Sequence, residues 1–443
     1  MAGDELFGVL PTQEAPQREA TGEPRLREPR RNQIELRSVD IESLIGADHM
    51  ARTIWAYVEG LDLRELEDAI KSREGRPGHP TISPRLLVAL WLFATSQMVG
   101  SARALARLCS SHDAYRWLCG GVSVNYHTLA DFRVAHAKLL DRLLAENVAA
   151  LAQAGIIDPS TLTQDGVRVR ASAGAASFRR EATLTRLEAD ACALIEKLKR
   201  EVHDNPAASN KRIRAAQERA ARERLDRIKA AQQARAEIAK QREQRRDNGR
   251  NKENDEKKQP RASTTDADAR VMKMADGGFR PAYNVQVASV AGEQIVVAVE
   301  PCNTGSDRGL MRPMLEKVEA ITGSTPEIHL VDGGFGSAND IEWAHAKGIN
   351  VYCPPTQSKH GTDPFAPRRD DGPGVLAWRQ RMASNEAQTQ YRMRAVCECI
   401  HARWRNWNLT RLTVRGLEKV RAVMLWYVLA NNILQAQRLA RAA

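Results

Sequence analysis

From about residue 40 to 155, apolar positions recur three and four apart, which predicts a run of helices. Pro84 opens one of them, with Ser83 as its expected cap, and Leu86, Leu87, Leu90, Trp91 and Ala94 form its apolar stripe. SARALARLC and TLADFRVAHAKLLDRLLAENVAALAQAG continue in the same style, and Gly155 is placed to end the last helix. At residue 156 the period changes to two. Thr161, Thr163, Asp165, Val167 and Val169 share one face of an extended strand, and Arg168 and Arg170 share the other. Strand patterns return at 283, in AYNVQVASVAGEQIVVAVEP, with Ala291 and Gly292 as a hairpin turn. An amphipathic helix is expected at about 306 to 321, then a short buried strand EIHLVD at 327 to 332. A helix at about 337 to 347 and a strand NVYCP at 350 to 354 follow. Residues 355 to 386 read as loop. From 387 to 437 there is no Pro and only one Gly, so helix is expected again.

A long helical segment interrupts this order after the first strand. Leu184, Leu187, Ala191, Leu194 and Leu198 step by three and four as a short heptad seam. HDNPAASN (203 to 210) breaks it, and KRIRAAQERAARERLDRIKAAQQARAEIAKQREQRR resumes as helix. The expectation is an antiparallel helical hairpin, followed by a disordered linker at 245 to 261. The expected organisation is a disordered tail (1–33), a helical N-terminal domain (34–155), an α/β domain (156–178 and 261–443) and the basic hairpin with its linker (179–260).

Charge sharpens this picture. The chain has 443 residues and a net charge of +11, enough length for two or three domains and a balance suited to a polyanion such as nucleic acid. Residues 179 to 260 hold 23 Lys plus Arg against 15 Asp plus Glu, most of that excess. Charge alone leaves the hairpin open between a DNA-contacting arm and a solvated or helix-binding surface. The longest apolar runs, such as LLVALWLFA (86 to 94), are too short to span a membrane, and the N-terminus lacks the pattern of a signal peptide. Seven scattered cysteines with no C-x-x-C indicate neither a disulfide framework nor a zinc site, and fit a reducing cytoplasm.

Three acids stand out by position. Asp165 is expected at the end of the first strand, Asp332 ends the EIHLVD strand, and Glu398 lies on a late helix. Sites in open α/β sheets form at strand ends. Three carboxylates gathered there repel unless a cation compensates, and all-oxygen donors select Mg²⁺ or Mn²⁺. Two such ions suit in-line attack on a phosphodiester. In the late helix YRMRAVCECIHARWR, Tyr391, Arg394, Glu398 and Arg405 are expected to fall within roughly 60° of one another on the helix surface. That face would combine a metal ligand with phosphate-gripping arginines.

These residues resemble the DDE transposases of bacterial insertion sequences, which have an RNase H-like catalytic core. Tyr391, Arg394 and Glu398 match the family's Tyr-x2-Arg-x3-Glu-x6-Lys signature, with Arg405 where Lys is usual. TQDGVRVRA resembles the strand of the first Asp, and LVDGGFGSANDIEWAHAKGINVYCP the segment of the second. STTDADARVMK with PAYNVQV resembles the approach to the strand between them. NYHTLADFR (125 to 133) is similar to the H-T-x-x-x-F-R motif that ends the helical N-terminal domain, and LTVRGLEKVRAVMLWYVLANNI to the closing helices. The resemblance covers about 40 to 437.

It implies an RNase H-like mixed sheet flanked by helices, with an all-helical DNA-binding N-terminal domain. It also implies a DNA recombinase that binds the terminal inverted repeats of its element, cuts them and joins them to target DNA, as a homodimer on DNA in the cytoplasm with the nucleoid. Asp165, Asp332 and Glu398 would hold two Mg²⁺ or Mn²⁺ ions. Arg394, Arg405, Arg168, Arg170 and Tyr391 would contact DNA, and Trp404 and Trp407 would stack on an unpaired base. The rival functions are a catalytically inactive, host-adopted DNA-binding derivative and a nuclease without end preference. Asp266, Asp276 and Asp307 are rival acids read as structural, with Asp307 placed to support the site. His127 is expected to pack or cap, and His329 to be a satisfied core histidine.

Overall fold

The three-and-four periodicity before residue 155 becomes seven helices: α1 (Met50–Glu59), α2 (Arg64–Asp68), α3 (Pro84–Ser96), α4 (Ala102–Ser111), α5 (Asp113–Cys119), α6 (Tyr126–Ala135) and α7 (Ala137–Gln153). The structure, a computed structural model, describes residues 38, 40–75, 79–204, 211–247, 259–355 and 363–442. The expected tail (1–33) and residues 248–258 of the expected linker lie outside the described residues. Ile41–Ala443 forms one unit, to which the description applies. Pro84 opens α3, but the Ser83 side chain makes no cap bond. Gly155 adopts φ 66° just past α7, a conformation that a Cβ disfavours. His127 is exposed and neither packs inward nor caps; the cap of α6 is Asn125, whose side chain accepts from the Thr128 amide at 2.9 Å.

The sheet comprises β1 (Thr161–Arg170), β4 (Arg270–Lys273), β5 (Phe279–Val290), β6 (Val296–Cys302), β7 (Ile328–Val331) and β8 (Asn350–Tyr352). The remaining short strands, β2 (Phe178–Arg179) and β3 (Ala262–Ser263), pair with each other. The order is β4–β5–β1–β7–β8, with β6 also on β5. β5 is antiparallel to β1, β4 and β6, whereas β7 is parallel to β1 and β8 to β7. This is a curled mixed sheet of RNase H-like kind with a helical N-terminal region, as expected. Strands begin earlier than 283: β3 and β4 precede that point, and β5 starts at Phe279. Their signal was weak because β4 has four residues, two of them charged.

The insertion is a helical hairpin, α8 (Glu181–Asp204) and α9 (Lys211–Asp247), closed at its base by the β2–β3 pair. Its seam is Leu184, Ala191, Ile228, Ala231 and Ala262, with Ile195 also buried. The expected seam slips by one residue after Ala191: Leu194 is 40% exposed and Ile195 takes its place. A straight helix drifts against a 3.5-residue repeat, and four residues from Ala191 restore contact.

After β6, Gly309 at φ 83° delays the helix expected at 306, so α10 spans Met311–Thr322. α11 is Ala338–Ala346. The expected loop at 355 to 386 contains α12 (Pro373–Met382), and α13 (Asn385–Tyr391) follows it closely. The first turn of α12 is capped from α11. Glu342 accepts from the Gly374 and Val375 amides at 2.9 and 2.8 Å. A Cβ on Gly374 would meet Glu342 Oε2 at 2.8 Å, so glycine is needed for this approach. α14 (Val396–Asn406) and α15 (Leu417–Ala442) complete the chain.

One apolar core joins the N-terminal helices, the sheet and α15. α15 buries residues from Val420 to Gln435 on several faces, as a central helix must. Its Asn432 pairs with edge strand β6 as another strand would, accepting from the Val296 amide and donating to the Val296 carbonyl, both at 2.8 Å. Arg133, of the HTLADFR segment, is buried over the Trp91 ring. It donates to the Gly100 carbonyl at 2.6 Å and to Thr413 at 3.1 Å.

Candidate active site

β1 and β7 run side by side with Gln164 opposite Val331 as the last pair. The next residues along the two strands are Asp165 and Asp332. Parallel pairing therefore delivers both carboxylates to the same sheet edge, as the two-residue strand period requires. Asp332 heads a 3-10 turn, Gly333–Phe335, and its carboxylate caps the Gly334 amide.

The third acid approaches from α14. Cys397 packs on β1, its Sγ 2.8 Å from Thr163 Oγ1, so α14 lies across the face of β1 that carries Thr163 and Asp165. Glu398 follows on the exposed side, at 67% exposure. Tyr391, Arg394, Glu398 and Arg405 do not share one helix: Tyr391 ends α13, and Arg394 sits in a 3-10 turn, Arg392–Ala395. That turn points Arg394 inward. Its Nη1 lies 3.6 Å from Asp165 Oδ2 and its Nη2 3.3 Å from Glu398 Oε1. Its guanidinium also stands 5.9 Å from the centre of the Tyr391 ring.

The electrostatics follow from this packing. Burial pushes the Asp165 carboxyl up; Arg394 opposes this, and Asp332 and Asp307 reinforce it. Burial lowers Arg394, but Tyr391, Asp165 and Asp332 outweigh it and hold the guanidinium net higher. His401, one turn after Glu398, sits with Nδ1 3.7 Å from Asp165 Oδ2. Burial, with help from Arg405 and Arg394, lowers it to about 4, so the contact is made by a neutral imidazole.

A cleft of about 620 Å³ opens here, lined by Asp165, Arg168, Arg170, Glu398, His401 and Arg405. All but His401 carry the charges that the sequence assigned to metal and phosphate. Arg168 is partly engaged behind the sheet, donating to the Gly305 carbonyl at 3.0 Å. Trp404 is corrected: it is 1% exposed, packed against Tyr427 and His401, and has no free face for a base. Trp407 is half-buried at the core margin. Among the rival acids, Asp266 accepts from the Tyr283 hydroxyl at 2.7 Å and the Gly416 amide at 3.2 Å, and Asp276 pairs with Arg280. Both serve as structural ties. His329 is buried, its Nε2 3.1 Å from Gln164 Oε1.

Among the described residues, no group of three or more His, Cys, Asp or Glu side chains is gathered closely enough to hold a metal ion. The donor chemistry nonetheless fits a hard divalent ion: two aspartates follow the last β1–β7 pair, and Glu398, on the cleft that Asp165 lines, is exposed. Arg394 supplies the positive charge between Asp165 and Glu398. The sequence did not single out His401, or Gln164, Asn284 and Gln286 behind β1, although His401 lies at helical spacing from Glu398.

Residues 259–433 match the family described as Transposase DDE domain, and residues 39–135 match Transposase domain (DUF772). The first span includes Asp332 and Glu398, while Asp165 falls between the two spans. Comparison with curated proteins and with solved structures gave no match. Both matched domains are transposase domains. Together they indicate an insertion-sequence DDE transposase. Such transposases act in DNA transposition and generally use divalent metal ions. No helix among the described residues is long and apolar enough to cross a membrane.

Proposed function

We propose that the chain binds the terminal inverted repeats of its insertion sequence and catalyses metal-dependent cleavage and strand transfer. The observation that carries this reading is the adjacency of Asp165 and Asp332 where the parallel β1–β7 pairing ends, with Glu398 on the cleft that Asp165 lines. Asp165, Asp332 and Glu398 would hold two Mg²⁺ or Mn²⁺ ions. Bound there, the ions would activate the attacking oxygen and stabilise the leaving one. Arg394 orients Asp165 and Glu398 through its two ion pairs. Arg405, Arg168 and Arg170 present charge to phosphates along the cleft, and Tyr391 backs Arg394. The helical region (34–155) serves DNA binding, and two copies act together on a pair of ends.

A second reading is a DNA-binding derivative without turnover. It is favoured by the Arg394 bridge, which spans two of the three acids where a cation would sit. Mn²⁺-dependent nicking of DNA carrying the element's terminal repeats separates the two. The first reading expects nicking, lost in Asp332→Ala with binding retained. Binding without nicking by the unaltered chain supports the second. Equal cutting of unrelated duplexes would instead indicate a nuclease without end preference.

A further inference from the structure

On the face of β1 opposite Asp165, which carries Gln164 and Gly166, the polar side chains join in one largely buried chain that reaches the cleft at Arg168. Gln164 Nε2 donates to Gln286 Oε1 at 2.9 Å and to the Leu310 carbonyl at 3.1 Å. Gln286 and Asn284 of β5 both donate to Asp307 Oδ1, at 2.8 and 2.7 Å. Arg168 reaches Asp307 Oδ2 at 3.5 Å. At the far end, His329 of β7 meets Gln164 Oε1. Gly166 has no side chain, and a Cβ there would stand 2.5 Å from Asp307 Oδ1. The missing methyl thus lets Asp307 sit directly behind the backbone that carries Asp165.

Apolar side chains would fill this interior at less desolvation cost. Gln164, Asn284, Gln286 and His329 are all at most 2% exposed. What polar residues add is direction: each hydrogen bond fixes a separation and an orientation. The need is local. The β1–β7 ladder stops at Gln164 and Val331, so no backbone pairing holds Asp165 at a set distance from Asp332. The polar chain crosses from β7 through β1 to β5 just there.

We infer that Asp307 is a positioning residue, which anchors this chain behind Gly166 and fixes the Asp165 carboxylate relative to Asp332. The inference rests on the proposed metal-dependent reading of the cleft. A site held this way loses ion affinity when its backing is cut, while duplex binding is not lost.

The test compares the full chain with Asp307→Leu and Asp307→Asn. Three quantities are measured: the rise in Tm on adding Mn²⁺, the Mn²⁺ concentration giving half-maximal nicking of supercoiled plasmid, and duplex affinity in chelator. Asp307→Leu is expected to lose the Mn²⁺-induced rise and to need about tenfold or more Mn²⁺, while duplex affinity in chelator does not fall, since the change only releases Arg168 from a carboxylate. Asp307→Asn, whose Oδ1 still accepts from Asn284 and Gln286, is expected to restore most of both. Should Asp307→Leu fail to fold, Gln286→Met cuts the same chain at similar volume and is read in the same way. An unaltered Mn²⁺ response in the Leu variant, or in Gln286→Met, overturns the inference alone. If the unaltered chain neither responds to Mn²⁺ nor nicks, the metal-dependent reading falls and the inference with it.

Discussion

Arg394 reaches Asp165 at 3.6 Å, and the same guanidinium holds Glu398 at 3.3 Å, so one cation ties a strand acid to a helix acid. Both Arg394 and Asp165 are largely covered, at 18% and 21% side-chain exposure, so solvent screens the pair only partly. Arg394 and a bound cation therefore answer the same electrostatic need.

Replacing Arg394 with Gln leaves the two carboxylates uncompensated. In chelator the variant is expected to lose about 1–3 kcal/mol of stability, the usual cost of stranding a covered charge. Because binding to the native state raises Tm by mass action, Mn²⁺ is expected to raise its Tm by more than that of the unaltered chain. Thermal unfolding with and without Mn²⁺ measures both. An equal or smaller rise would mean that Arg394 and the ion do not compete.

His329 sets an acid limit on stability. It is fully buried, and burial lowers it to about 3 from an ordinary value near 6.5. Between these values the unfolded chain takes up a proton that the folded one refuses. Its contribution is therefore complete above about pH 6.5 and shrinks as pH falls toward about 3. By pH 5 the loss is about 2 kcal/mol. His329→Gln removes the titration, so denaturant unfolding from pH 7 to pH 5 should show a shallower decline for the variant. Parallel declines would contradict the assignment.

Trp404 and Trp407 lie three residues apart but differ in consequence. Trp404 belongs to the core beneath α15, so Trp404→Ala is expected to cost about 3–5 kcal/mol. Trp407→Ala, at the margin, should cost clearly less. Urea unfolding compares them. If Trp404→Ala left stability intact while weakening single-strand binding, the ring would have to be accessible after all.

The candidate acids were legible by position: Asp165 lies on a strand of period two, Asp332 ends a short buried strand, and Glu398 sits in a helix. Parallel pairing of β1 with β7 then brings the two aspartates together. What stayed hidden depends on distant partners. The start of α12 reads as loop until Glu342 supplies the cap. The turn at Arg392–Ala395 breaks no local rule, yet it changes which way Arg394 points. Gln164, Asn284 and Gln286 read as ordinary polar strand residues, because nothing local says that both faces of those strands are covered. Asp307 was legible only as an acid well placed to support the site. Trp404 was misassigned because proximity along a helix does not tell which side faces α15.

The hairpin's role turns on where its stability resides. Its buried seam near the sheet, Leu184, Ile228, Ala231 and Ala262, is closed by the β2–β3 pair and by the Arg235–Glu181 ion pair at 2.6 Å. Farther out, the arm relies on pairs within one helix, such as Arg222 with Glu218 and Lys199 with Glu196, which contribute little each, and on Arg214 donating across to the Glu201 carbonyl at 3.1 Å. α9 alone has 37 residues, a span of about 55 Å, longer than one turn of B-DNA. Removing residues 197–219 and closing the gap with a short Gly/Ser turn keeps the base cluster, so stability of the rest should change by no more than about 1 kcal/mol. If the outer arm lies along DNA, the slope of log affinity against log salt should become shallower by about 0.9 for each phosphate that the removed segment had neutralised. Binding of a 40-base-pair duplex across a salt series measures this. An unchanged slope with unchanged Tm would leave the arm to association between protein copies, which sedimentation of the two chains with and without DNA would then reveal.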